Sequence, residues 1–323
     1  MVSLFQPSSV CFEDALKRPD DPRFANLIRR YDEKKKLGNI ALLGAPFELG
    51  VKNSGGRVGT AKAPDAIRGQ LFKYGTTVNL ARVSNMGELL ITDFGNVFAD
   101  DTDICFSHSE TRKAVRFALS CSSTVIVFGG GHDLSYATVS ALSEEYKEIG
   151  GMNIDAHFDV RPIIGGNITS GTPFWRLLAE RTIPRERFFE VGAQGHVNAK
   201  AHLDFLRERK AHVTFLPEFR RMGAGFVMSE FEKTLRNCDA LFVSVDMDSV
   251  ASAFAPGVSA PSPDGLFPED VLEIAYCAGL NRKVRLFEIM EMNPLYDIDS
   301  RTARLSANIV LEFCAGFAKR WGT

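Results

Sequence analysis

One stretch of this sequence, LFVSVDMD at residues 241–248, indicates both the fold and the kind of site that the fold contains. Its first half is almost continuously hydrophobic, which is typical of a strand buried on both faces in a parallel sheet. Its end places two carboxylates, Asp246 and Asp248, at the point where the strand stops. Open α/β sheets hold their sites just beyond the carboxyl ends of their strands. Further polar clusters at strand ends are therefore the expected components of a site.

Short hydrophobic runs of this kind alternate along the chain with segments of helical periodicity. The eight predicted strands are 40–47, 89–97, 124–128, 151–155, 188–192, 212–216, 241–246 and 284–291. The predicted helices are 64–74, 109–120, 134–147, 173–180, 199–210, 228–236, 268–278 and 301–320. This alternation is typical of a parallel sheet flanked by helices. Because no linker or repeat divides the chain, we predict an N-terminal extension at residues 1–38 and a single α/β domain at residues 39–323.

Composition excludes several kinds of partner. The 323 residues include 38 basic and 40 acidic side chains, so no strongly positive field favours nucleic acid or an anionic membrane. No apolar stretch approaches the ~20 residues of a membrane span, and residues 1–10 lack the pattern of a signal peptide. The six cysteines have no CxxC spacing, which favours reduced thiols. We therefore expect a cytoplasmic protein that binds neither nucleic acid nor membranes.

Two more predicted strands end in clusters of metal-ligand residue types. The third strand is followed by GGGHD at residues 129–133, and the fourth by DAHFD at residues 155–159. With the carboxylates of the first stretch, the candidate ligands are two imidazoles and four carboxylates: His132, Asp155, His157, Asp159, Asp246 and Asp248. Such an oxygen-rich set suits two hard divalent ions, Mn²⁺ or Mg²⁺, better than one zinc ion. Two close ions can ionise one water between them, so the implied reaction is hydrolysis.

Each of these clusters has an ordinary alternative. An isolated Asp-x-Asp is most often a turn or a helix cap, and a histidine after three glycines is commonly a loop residue. However, burying this many carboxylates without cations would cost several kcal/mol for each ion. A site for Mg²⁺ and a phosphate ester is a further alternative, although the sequence has no phosphate-binding loop of the Walker type.

The three clusters, in this order and spacing, resemble the signatures of the ureohydrolase superfamily, which comprises arginases, agmatinases and formimidoylglutamases. Further matching segments are 44–47, 55–59, 63–68 and 291–294, so the resemblance covers about residues 39 to 320. It implies an arginase-like fold of three layers, αβα, around an eight-stranded parallel sheet. It also implies two Mn²⁺ ions per subunit, a small amidine substrate attacked by a bridging hydroxide, and a homotrimer or homohexamer.

The resemblance assigns a role to each candidate. It implies that the first ion is held by His132, Asp155, Asp159 and Asp246. It implies that the second ion is held by Asp155, His157, Asp246 and Asp248, so that Asp155 and Asp246 bridge. Asp159 would transfer a proton to the leaving amine as a catalytic acid–base. Glu291 would be catalytic by pairing with the cationic C–N group of the substrate, and a structural ion pair at the strand end is the alternative for it.

Departures from the arginases indicate the substrate. Ser170 stands where arginases have a histidine, Arg161 stands where they have an asparagine, and residues 192–195 lack their aspartate for the substrate amine. A fixed guanidinium suits an additional carboxylate, and the missing acid suits an amine that is blocked. These features resemble formimidoylglutamases, so Arg161 and Ser170 are expected to bind substrate. An exposed ion pair is the alternative for Arg161.

The expected reaction is hydrolysis of N-formimidoyl-L-glutamate to L-glutamate and formamide, a step of histidine breakdown. One alternative is another ureohydrolase that acts on a guanidino acid or on arginine. The other is a non-catalytic scaffold with an arginase-like fold, because folds can persist after an activity is lost.

Overall fold

A mostly parallel sheet of ten strands passes through the centre of the protein. A computed structural model describes residues 4–321. Residues 1–3 and 322–323, which form the outer ends of the predicted extension and domain, lie outside the described residues. The strands of the large sheet are β1 (Phe5–Gln6), β2 (Ile28–Arg30), β3 (Ile40–Gly44), β6 (Ile91–Val97), β7 (Thr124–Phe128), β8 (Ile149–Ile154), β9 (Phe188–Ala193), β10 (His212–Phe215), β11 (Ala240–Asp246) and β12 (Val284–Met290). Two further strands, β4 (Val78–Asn79) and β5 (Ser84–Asn85), form a separate antiparallel pair.

The order of strands in the sheet is β1-β6-β3-β7-β12-β11-β8-β9-β10, and β2 lies beside β6. All eight predicted strands are confirmed, and they are parallel to one another. The sheet nevertheless has two strands more than predicted, because β1 and β2 of the N-terminal segment pair with β6. These strands contain two and three residues, which is too few for a hydrophobic period to be recognised.

Within residues 4–321, ten α-helices connect and cover the strands. They are α1 (Leu49–Ser54), α2 (Ala63–Lys73), α3 (Ile104–Cys121), α4 (Ser135–Glu145), α5 (Pro173–Ala179), α6 (Lys200–Glu208), α7 (Leu216–Met222), α8 (Ala224–Thr234), α9 (Pro268–Leu280) and α10 (Arg301–Trp321). Eight of them match predicted helices, whereas α1 and α7 were not predicted. Both are short, with six and seven residues, and unlike the equally short α5 they contain few hydrophobic positions from which the helical period of 3.6 could be established.

Alternate residues of each central strand pack on opposite faces of the sheet. In β11, Leu241, Val243 and Val245 belong to a hydrophobic core formed with α2, α8, α9 and α10. Phe242 belongs to a second core formed with α3, α4, α5 and α6. Burying a large apolar side chain contributes roughly 1.5–3 kcal/mol, so both faces stabilise the sheet. This arrangement confirms the predicted three-layer αβα architecture.

Two features considered in the sequence, the hydrophobicity of the helices and the state of the cysteines, can be examined in the described part of the chain. Across residues 4–321, the helices are either too short or too polar to cross a bilayer. All six cysteines fall within this range, and each of them is a free thiol.

Candidate metal centre

Four neighbouring strands bring the candidate ligands together. In the sheet, β7, β12, β11 and β8 lie side by side and run in the same direction. His132 follows β7, Glu291 follows β12, Asp246 ends β11 and Asp155 follows β8. Because the carboxyl ends of parallel strands meet at one edge of the sheet, residues more than a hundred positions apart become neighbours.

The first ligand group surrounds the Nδ1 atom of His132. This nitrogen lies 2.9 Å from Asp246 Oδ2, 3.1 Å from Asp159 Oδ2 and 3.3 Å from Asp155 Oδ2. The four side chains offer ligand atoms that all lie within 4.8 Å of one another. His132 and Asp155 are completely buried, so water cannot solvate this cluster freely.

The second ligand group shares one residue with the first. His157 Nδ1 lies 3.3 Å from Asp248 Oδ2 and 3.4 Å from Asp155 Oδ1. Asp155 therefore faces the two groups with its two different oxygens, which is the geometry of a bridging ligand. Asp246 meets only the first group, because its Oδ1 accepts a hydrogen bond of 2.7 Å from the backbone nitrogen of Asp248.

The donor set fits two hard divalent cations. Asp155, Asp246 and Asp248 are each at most 3% exposed. Asp248 Oδ1 has no hydrogen-bond partner among residues 4–321, and leaving such a buried atom unsatisfied costs about 1–3 kcal/mol. Cations would pair with these oxygens, and carboxylates with imidazoles are the ligands that manganese-like ions accept.

The titration behaviour of the cluster has the same origin. Burial, together with the neighbouring Asp155 carboxylate, raises the pKa of Asp159 to about 6. Burial and the carboxylates of Asp248 and Asp155 also raise the pKa of Asp246 well above its ordinary value. For His132, burial acts to lower the pKa, but the surrounding carboxylates outweigh it and raise the pKa well above the ordinary value. The cluster thus concentrates negative charge that only protons or cations can neutralise.

Two residues of the site have a strained backbone. Asp159 has a φ of 48° and Glu291 a φ of 63°, in the left-handed region that residues other than glycine rarely adopt. Such a conformation costs on the order of 1–3 kcal/mol and persists only where the surroundings impose it. The strain occurs at the two residues to which the sequence analysis assigns catalysis.

The residues expected to bind substrate lie in the same cleft as the ligands. Arg161, Ser170 and Glu291 line a cleft of about 280 Å³ together with four candidate ligands, His157, Asp159, Asp246 and Asp248. Ser170 Oγ lies 3.1 Å from Ser54 Oγ on the wall of this cleft. A Cβ at position 171 would come within 2.9 Å of the Arg161 side chain, so a glycine there leaves room for the guanidinium.

The guanidinium of Arg161 is exposed and forms no hydrogen bond or ion pair with any residue of the described chain. Its backbone is nevertheless fixed, since the nitrogen of Arg161 donates a 2.8 Å hydrogen bond to the carbonyl of Gly171. The alternative interpretation of Arg161 as a surface ion-pair residue therefore finds no partner within residues 4–321.

Comparison with known proteins identifies the family. The sequence profile of the arginase family matches residues 38–316. The chain belongs to the arginase family. A formimidoylglutamase from Staphylococcus haemolyticus is 32% identical over 294 residues, which cover 90% of each protein.

Solved structures agree with this assignment of the arginase-family fold. A Trypanosoma cruzi formiminoglutamase crystallised with Mn²⁺ has a TM-score of 0.87 at 30% identity, covering 93% of this chain and 100% of that one. A Bacillus subtilis formimidoylglutamase also has a TM-score of 0.87, at 26% identity, covering 97% of this chain and 96% of that one. The predicted arginase-like fold is thereby confirmed.

This arginase-family chain also contains buried polar residues that the sequence analysis did not identify. They lie within the predicted strands, behind the ligands: Asn153, Glu190, Ser244 and Glu288. Asn153 Nδ2 lies 3.3 Å from Asp155 Oδ2 and 3.2 Å from Glu190 Oε1, so one amide joins a ligand to a buried acid. A polar side chain in an otherwise apolar strand was the available signal, because such residues are rarely buried without a partner.

Proposed function

We propose that this chain is a manganese-dependent formimidoylglutamase, which hydrolyses N-formimidoyl-L-glutamate to L-glutamate and formamide. The observation that supports this best is the unpaired guanidinium of Arg161 in the same cleft as the two ligand groups. A substrate with two carboxylates and an amidine end would fill such a cleft from the guanidinium to the metal centre.

The metal ligands follow from the geometry of the two groups. His132, Asp155, Asp159 and Asp246 would hold one Mn²⁺ ion. Asp155, His157 and Asp248 would hold the other, and the resemblance to ureohydrolases adds Asp246 to this second set. When bound, two such ions lower the pKa of a water and thereby make a nucleophile available near neutral pH.

The side chains around the metal centre orient the substrate and move its protons. Asp159 accepts a proton from the attacking water and passes it to the nitrogen of the leaving amine. Glu291 pairs with the cationic C–N group, so that the amidine carbon is directed toward the metal centre. Orientation of this kind removes much of the entropic barrier to reaction.

The far end of the substrate determines specificity. The planar fork of Arg161 donates two parallel hydrogen bonds to one substrate carboxylate. Ser170 lies on the same wall of the cleft and provides a hydroxyl for hydrogen bonding to the substrate chain. A substrate whose far end is uncharged or cationic, such as agmatine, offers no carboxylate with which Arg161 could pair.

A product assay tests the proposal. Purified protein loaded with Mn²⁺ is incubated with N-formimidoyl-L-glutamate, arginine, agmatine and a guanidino acid, and formamide, urea and ammonia are quantified. We expect formamide from formimidoylglutamate with the highest kcat/KM. A higher kcat/KM for urea release would replace the proposal with another ureohydrolase activity, and no product from the metal-loaded protein would indicate a scaffold. The Asp248→Ala variant, prepared in the same way, measures contaminating activity.

The proposal extends to the cellular context and the assembly. Free cysteines and balanced charge are consistent with a cytoplasmic enzyme that acts on a small molecule. A homotrimer or homohexamer is the assembly that the family resemblance implies, and sedimentation equilibrium of the metal-loaded protein would measure it.

A further inference from the structure

A buried acid that is not a ligand lies beneath the metal centre. Glu288, on β12, is completely buried. Its Oε1 accepts a 2.5 Å hydrogen bond from Ser135 Oγ, and its Oε2 accepts a 2.6 Å hydrogen bond from Thr138 Oγ1. Both hydroxyls belong to α4, which packs against this face of the sheet.

Ser244 connects this acid to a ligand. Ser244 on β11 lies directly opposite Glu288 on β12 in the register of the two parallel strands. The Ser244 Oγ atom lies 3.5 Å from Ser135 Oγ, whose own hydrogen is donated to the Glu288 carboxylate. On its other side, Ser244 Oγ lies 2.9 Å from His132 Nε2. A continuous chain of hydrogen bonds therefore joins Glu288 to His132.

The positions of the protons in this chain follow from the role of His132. Its Nδ1 atom faces the three carboxylates of the first ligand group, so Nδ1 is the nitrogen that would bind a metal. A metal-binding nitrogen carries no proton, so Nε2 must carry it and donate it to Ser244 Oγ. The Ser244 hydrogen then requires an acceptor of its own, which Ser135 Oγ provides, and the Ser135 hydrogen is accepted by Glu288.

We propose that Glu288 is a positioning residue for His132, which acts through Ser135 and Ser244 to fix the tautomer and the ring orientation that direct Nδ1 to the metal. The inference rests on the proposed function only in requiring that a divalent metal binds at this site. Outer groups of this kind typically change metal affinity about 10- to 100-fold when they are replaced. A purely structural acid, which only attaches α4 to β12, would leave metal affinity unchanged.

Manganese affinity separates these two roles. Metal-free protein is titrated with Mn²⁺ in competition with a fluorescent chelator, for the wild type and for Glu288→Met, Ser244→Ala and the double variant. Methionine is unbranched and fills similar space without accepting a strong hydrogen bond. The control is Thr138→Val, which removes a hydroxyl from the same carboxylate but does not interrupt the chain to His132.

We expect each single variant to raise the Kd of one of the two Mn²⁺ ions roughly 10- to 100-fold, with the other ion bound normally. The double variant should bind Mn²⁺ no more weakly than Ser244→Ala does, because Glu288 acts through the Ser244 hydroxyl. Thr138→Val should bind Mn²⁺ as the wild type does. Wild-type affinity in Glu288→Met, or losses that multiply in the double variant, would overturn the proposal.

A folding defect can be recognised and avoided. Circular dichroism and the Tm of each metal-free variant show whether it is folded, and Glu288→Asp, which withdraws the carboxylate by one methylene, replaces Glu288→Met if that variant does not fold. Glu288→Asp is then judged by the same comparison of its Mn²⁺ affinity with that of the wild type. Wild-type protein that binds two Mn²⁺ ions but releases no formamide would overturn the proposed function without affecting this inference.

Discussion

Glu291 Oε1 accepts a hydrogen bond of 2.7 Å from the backbone nitrogen of His132, so the acid expected to hold the substrate is fixed to a ligand of the metal centre. Its second oxygen, Oε2, has no hydrogen-bond partner among residues 4–321. Burial raises the pKa of Glu291 to about 8. A cationic amidine at Oε2 would satisfy this oxygen and stabilise the carboxylate at the same time.

Replacing Glu291 by glutamine tests this role. The amide oxygen of Glu291→Gln preserves the bond to His132, whereas the charge that pairs with the substrate is lost. Hydrogen bonds to charged groups contribute about 1.5–3 kcal/mol, so kcat/KM for formimidoylglutamate should fall roughly 10- to 150-fold. Steady-state kinetics measures this loss, and metal analysis should still find two Mn²⁺ ions. Full activity of the variant would contradict the assignment.

Removing Asp246 should weaken metal binding. We expect Asp246→Ala to lose at least one Mn²⁺ ion and to have a lower Tm in excess Mn²⁺ than the wild type, since a metal bound only by the folded state adds to its stability. Elemental analysis after desalting and thermal denaturation measure both effects. Asp101→Ala, which removes an exposed aspartate outside the site, is the control. Two ions and full activity in Asp246→Ala would be incompatible with the proposed centre.

Arg161 should affect substrate binding but not metal binding. In Arg161→Ala, both Mn²⁺ ions should remain, and kcat/KM for formimidoylglutamate should fall roughly 10- to 150-fold, mainly through KM. Arg161→Lys should recover little, because an ammonium lacks the planar fork of the guanidinium. The control is Arg221→Ala, at an exposed position of α7. Activity equal to the wild type in Arg161→Ala would exclude this side chain as the carboxylate site.

The metal-free protein should become less stable as pH rises. Burial first, and neighbouring carboxylates second, raise the pKa of Asp159 to about 6, and burial raises that of Glu291 to about 8. Carboxyls of the unfolded chain titrate at pH ~4. Above that pH, and up to the raised pKa values of Asp159 and Glu291, the folded state therefore holds protons that the unfolded state has already released. Its free energy of unfolding therefore falls as pH rises through this window.

Manganese should reverse this trend, because its ligands bind in their unprotonated forms and affinity increases with pH. We expect the difference in Tm between manganese-loaded and metal-free protein to widen from about pH 5.5 to about pH 8. Differential scanning fluorimetry at constant ionic strength measures both curves. A difference that stays constant or narrows would mean that the cluster is not the metal site.

The candidate ligands could be predicted from the sequence because each lies at or just beyond the end of a strong strand signal. A hydrophobic run that stops at an aspartate, as β11 does at Asp246, indicates both the strand and the edge of the sheet where it ends. The proximity of His132 to Asp246 was harder to predict, because it depends on the strand order β7-β12-β11-β8. Only the resemblance to ureohydrolases implied that these two residues share an ion.

The supporting network could not be predicted for a different reason. Glu288 and Asn153 lie within buried strands, where a polar residue indicates that some partner exists but not which one. The partner of Glu288 is set by strand register and by the packing of α4, both of which are tertiary features. The bridging oxygens of Asp155 likewise depend on side-chain rotation, which spacing along the chain does not determine.

The N-terminal strands protect the sheet from association with other chains. An uncovered outer strand presents a row of free N–H and C=O groups to which a second molecule can add a strand, which leads to aggregation. Strand β2 pairs with the β6 residues from Ile91 to Asp93, and strand β1 pairs with Asn96 and Val97 of β6. At the opposite end of the sheet, β10 has only four residues to offer. The segment before the main fold thus leaves only strands of two and three residues at this edge of the sheet, which offer a second molecule few free groups to pair with.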